Sequence, residues 1–145
     1  MTRSVAESST RSLTPELIRE ALAGVAPELR FPGRNLSKAD VSLLRVDGRR
    51  IALKDYGARP FLARHTVGRL LVGRECHAYE RAGQAPGLAP FLGRLGPFTL
   101  ATGWIESVPL ADLPGGAASH EIFDRLDEVI GGLHSRGVAI SGMYA

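Results

Sequence analysis

Val41-Ser42-Leu43-Leu44-Arg45-Val46-Asp47-Gly48-Arg49-Arg50-Ile51-Ala52-Leu53-Lys54-Asp55-Tyr56 decides the fold. Two runs rich in Val, Leu and Ile flank Asp47-Gly48, a dipeptide suited to a two-residue turn whose central positions need positive φ. The stretch reads as an antiparallel hairpin, with strands over 41–46 and 49–56. A further strand is expected before it, over 29–36. Upstream, Thr14-Pro15-Glu16 marks a helix start: a hydroxyl N-cap, a proline at the first helical position and a carboxylate in the first turn. Leu17, Ile18, Leu22 and Val25 supply that helix's apolar face, and Gly24 with Pro27 stops it. Residues 1–13 read as a disordered tail.

Downstream, Arg59-Pro60 ends the strand and opens a helical stretch to about Ala82. Phe91–Leu95 and Phe98–Glu106 read as a second strand pair bent at Gly96-Pro97. A connector over 109–116 leads to a helix capped by Ser119 and stopped by Gly137. Its stripe is Ile122, Phe123, Leu126, Val129, Ile130 and Leu133. No βαβ alternation occurs, so the expected class is α+β: a five-stranded antiparallel sheet carrying one main helix.

Composition narrows the function classes. The 145 residues are 44% hydrophobic and 23% charged, in the range of a folded soluble domain. No apolar run reaches membrane-spanning length, and the first residues lack the apolar core of a signal peptide. One cysteine, Cys76, excludes an internal disulfide framework, and a cytoplasmic location is expected. The net charge of +3 comes from scattered arginines on strands poor in aromatics, which argues against a nucleic-acid partner. His65, Cys76 and His77 do not converge as zinc ligands, and no nucleophile elbow is present.

Two lysines, Lys38 and Lys54, stand against sixteen arginines. A lysine on an apolar strand of an arginine-rich chain suggests a space that takes a compact ammonium, and phosphate oxygens are the usual reason. At about 100° per residue, Val67, Leu70, Leu71, Val72, Ala78 and Tyr79 define an apolar arc on the following helix. Glu75 falls inside this arc, and Glu80 falls outside it. A carboxylate turned toward the sheet needs a cation, and Lys54 is the candidate. A purely structural ion pair is the alternative.

Ile51-Ala52-Leu53-Lys54 resembles the Val-Ala-Ile-Lys strand of protein kinases, and Glu75 matches their helix glutamate. Thr102-Gly103-Trp104-Ile105-Glu106-Ser107 resembles the hinge strand. Leu133-His134-Ser135-Arg136-Gly137-Val138-Ala139 is similar to the approach to the catalytic loop. The nearest likeness is to the bacterial group that includes lipopolysaccharide sugar kinases and RIO-type kinases. The resemblance implies a kinase-like small lobe over 14–107, then a hinge connector and the first long helix of an incomplete large lobe over 108–145.

It also implies ATP as ligand. Lys54 would contact the phosphates, Glu75 would orient Lys54, Ala52 would lie against the adenine, and Gly103 and Ile105 would pair with its edge. A phosphate-covering turn is expected at Ser37-Lys38-Ala39-Asp40, which adds Lys38, although no Gly-x-Gly-x-x-Gly is present. Gly142 stands where the family has its catalytic aspartate, and the metal-binding residues have no counterpart in these 145 residues. Mg2+ would need ligands from elsewhere, and the expectation is a catalytically incomplete kinase-like protein. The alternative is a noncatalytic, pseudokinase-like interaction module that uses the sheet and the apolar face of helix 119–136 to bind a protein partner.

Overall fold

The computed structural model describes residues 12–34, 38–109, 112–115 and 119–139. Most of the expected tail, Ser37 and Gly142 lie outside these residues. Helix α1 (Pro15–Leu22) starts where Thr14 Oγ1 accepts the Leu17 amide at 3.3 Å, with Pro15 in its first turn. Strand β1 (Leu29–Phe31) is shorter than expected. Strands β2 (Asp40–Val46) and β3 (Arg49–Asp55) form the hairpin, with φ of 48° at Asp47 and 74° at Gly48. Positive φ at both central residues matches the turn to the right-handed twist of the strands.

A continuous helical stretch follows. Helix α2 (Phe61–Ala63) runs through a π-helical turn (Arg64–Gly68) into α3 (Arg69–Ala82). Strands β4 (Phe91–Arg94) and β5 (Thr99–Gly103) come next, and α4 (His120–Ser135) closes the described chain. Ser119 holds the N-cap position of α4 in an extended conformation, but its hydroxyl makes no capping bond. Gly137, with φ of 75°, ends the helix in the left-handed region.

All strand pairs are antiparallel, in the order β1-β2-β3-β5-β4. The protein is thus α+β with a five-stranded sheet, and β3 lies at its centre. Alternation divides the sheet into two faces. Leu44, Val46, Ile51 and Ala101 pack under α1 around Ile18, which is fully buried. On the other face Leu100 and Tyr56 pack with Val72 and Cys76 of α3. A smaller cluster of Ala82, Ala85 and Leu133 joins the last turn of α4 to the end of α3, and Arg136 donates to the Ala82 carbonyl. The rest of the α4 stripe is half-buried, with Phe123 exposed.

The expected arc on the main helix needs one correction. Leu70, Leu71 and Val72 are consecutive and span some 200° of a helix, so they cannot share a narrow face. The structure buries Val72 and Cys76 and leaves Val67 and Leu70 exposed. Among the described residues no helix is long and apolar enough to cross a membrane.

Candidate functional site

Period-two alternation puts Ala52 and Lys54 of β3 on the sheet face that α3 covers, opposite Thr102 and Leu100 respectively. Tyr56, just past the strand end, packs into the same cluster. On α3, Leu71, Glu75, Ala78, Tyr79 and Ala82 recur at helical spacing toward that face. Lys54 Nζ forms an ion pair with Glu75 Oε1, and the Tyr56 hydroxyl donates to Glu75 Oε2 at 2.9 Å. Both oxygens of the carboxylate are therefore engaged, one from β3 and one from the residue just past its end. Lys54 Nζ also lies 5.7 Å from the centre of the Tyr79 ring, and Tyr79 stacks on Phe91 at 5.1 Å and 7°.

The approach of α3 to the strand end depends on the π-helical turn. A Cβ at Gly68 would sit 3.3 Å from the Tyr56 carbonyl oxygen and 3.5 Å from Tyr56 Cβ, so a side chain there would crowd the helix off the strand. A single π turn within an α-helix often marks a functional site. This one fixes the phase that brings Glu75 to Lys54.

Burial works against the charge on Lys54, but attraction to Glu75 and contact with Tyr79 outweigh it and hold its pKa above the usual lysine value. Burial first, and then the Glu75 carboxylate, push the Tyr56 phenol well up. Tyr56 is thus a standing hydrogen-bond donor and not a base. Burial likewise raises the Cys76 thiol, which leaves it a packing residue and not a nucleophile.

The pair borders a cavity of about 740 Å³. Its polar lining includes Lys38, Lys54, Arg74, Glu75 and Tyr56, and its apolar wall includes Leu71, Leu88, Leu133 and Val138. Among the described residues three cations line it against one carboxylate, and that carboxylate is already engaged. Lys38 is held there by its backbone. Arg59 donates to the Lys38 carbonyl and lies 3.6 Å from Asp40, while Asp40 Oδ1 accepts the Gly33 amide at 2.7 Å. A Cβ on Gly33 would come within 2.4 Å of the Lys38 carbonyl oxygen, so only glycine lets the two arms of this loop close.

Of the residues named from the sequence, Lys54, Glu75 and Lys38 meet at this cavity. Ala52, Gly103 and Ile105 do not line it. Ala52 shares the Lys54 face but is only 7% exposed. Phe31 and Trp104, in the rows on either side of Leu43 and Ala52, stack at 6.2 Å and so reach across that row. The Gly103 amide donates to the Pro90 carbonyl at 2.8 Å, and Ile105 is exposed. Tyr56, Arg74 and Tyr79 went unnamed as site residues in the sequence. Tyr56 lies two residues beyond Lys54, and Tyr79 lies one helical turn beyond Glu75, so both periods carried the signal.

The arrangement suits an anionic ligand, with the Lys54 ammonium held by Glu75 and the exposed side chains of Lys38 and Arg74 beside it. Among the described residues no group of three or more His, Cys, Asp or Glu side chains is placed to hold a metal ion. No protein-family model, curated protein or solved structure matches the chain.

Proposed function

We propose that the chain binds a nucleotide such as ATP through its phosphates, as a small lobe of protein-kinase type, with Lys54 as the phosphate contact and Glu75 as its orienting partner. One observation carries this: a strand lysine, paired with a carboxylate from the main helix, borders a cavity whose described lining holds three cations and a single, engaged carboxylate. The strand-lysine and helix-glutamate pair is the arrangement kinases use to hold phosphates. Five antiparallel strands with one main helix across the lysine face agree with it. Lys38, whose backbone carbonyl Arg59 holds beside the cavity, adds a second ammonium for the same oxygens. Binding alone is proposed. Among the described residues Glu75 is the only carboxylate lining the cavity, so these residues do not fit a magnesium site and no phosphoryl transfer is assigned to them.

Calorimetric titration with ATP and ADP tests this. Binding should weaken about tenfold or more in Lys54→Ala, the scale expected for a lost charge-assisted contact. No binding by the unaltered chain, or binding indifferent to Lys54, overturns it. The half-exposed stripe of α4, with Phe123 49% exposed, favours the second reading, a noncatalytic module that docks a protein partner on that helix. That reading stands if nucleotide binding fails while Phe123→Ser abolishes association.

A further inference from the structure

Residues 56–74 contain no aspartate or glutamate, but they hold four arginines (Arg59, Arg64, Arg69 and Arg74) and His65. Through this stretch Gly68, Val72 and Cys76 turn inward, which leaves Leu62, Thr66 and Leu70 on the opposite ridge. Leu62 is 76% exposed, Leu70 61%, Phe61 65% and Val67 40%. Arg59 is occupied by Asp40, and Arg64 lies against the rings of Phe61 and Phe98. Arg69 and Arg74 are exposed and meet no carboxylate among the described residues.

We propose that this ridge docks on an anionic lipid surface. Apolar side chains flanked by cations, with no acid among them, combine burial in the acyl boundary with attraction to charged headgroups. The apolar groups also stand out from a convex helix and do not line a groove. A deformable bilayer accepts such protrusions without a matching cavity, whereas an acidic protein would need a concave one. Lys54 has no part in this, and Leu62, Arg69 and Leu70 do not line the cavity, so variants at these positions separate lipid docking from nucleotide binding.

The test is co-sedimentation of the full chain with vesicles of phosphatidylcholine alone and with vesicles enriched in phosphatidylserine. Binding is expected only to the second. The Leu62→Ser, Leu70→Ser double variant should lose about tenfold or more of it. Arg69→Gln should lose about fivefold, the equivalent of the ~1 kcal/mol a basic residue gains near an anionic leaflet. Arg125→Gln, on exposed α4, removes the same charge and should change nothing. Absence of binding to the serine-lipid vesicles overturns the proposal. So does equal loss in Arg69→Gln and Arg125→Gln with the leucine variant unaffected, which would mean attraction to net charge alone. Capture of an acidic protein through these leucines, without vesicle binding, overturns it as well.

Discussion

The Tyr56 hydroxyl donates to Glu75 Oε2 at 2.9 Å, while the other oxygen of that carboxylate is paired with Lys54. One helix carboxylate thus ties down two side chains of neighbouring strand positions, and α3 is fastened to the sheet at the edge of the cavity. The three groups share a partly buried environment, so removing any one changes the electrostatics of the other two.

The two halves of the ion pair should not be equivalent. Glu75→Ala leaves the Lys54 ammonium without its partner, with 26% of its side chain exposed. The expected cost is about 2 kcal/mol, below that of breaking a fully buried pair because some solvent still reaches it. Lys54→Ala leaves Glu75 bonded to Tyr56 and should cost about 1 kcal/mol. Urea unfolding of both variants checks the order, and a larger loss in Lys54→Ala would refute this picture of the site.

Stability should fall in alkali through this same cluster. Tyr56 folds with a pKa above its ordinary 10.0, so its contribution is complete below that value and is lost as pH rises through the raised one. Lys54, raised above 10.5, loses its contribution in the same direction. Melting temperature should therefore decline above about pH 10. Tyr56→Phe should start about 1–2 kcal/mol less stable, by the loss of a hydrogen bond to a charged group, and decline less steeply. An alkaline limb of equal slope in the variant would remove Tyr56 from the explanation.

Trp104 is the only tryptophan, and it is stacked on Phe31 across the row that contains Ala52. A nucleobase seated against Ala52 has to part these rings and change the surroundings of the indole. Trp104 emission should therefore shift on saturation with ATP. Binding seen by calorimetry with unchanged emission would put the base elsewhere, against the apolar wall of Leu88, Leu133 and Val138.

Much of the architecture is local chemistry that the sequence determined by itself. Thr14 and Pro15 start a helix because a hydroxyl and a missing N–H suit its first turn, and Asp47-Gly48 makes the hairpin because both residues tolerate positive φ. Period two then puts Ala52 and Lys54 on one face, and the helical period turns Glu75 toward it. Tertiary structure decided what those periods leave open. Leu70, Leu71 and Val72 offered two faces, and the π-helical turn with the close approach of Gly68 to Tyr56 selected the one that buries Val72 and Cys76. The second bond to Glu75, the stacking of Phe31 on Trp104 and the hold of Arg59 on the Lys38 carbonyl join residues far apart in the chain. Such contacts follow from how packed elements meet in space, which no local period contains.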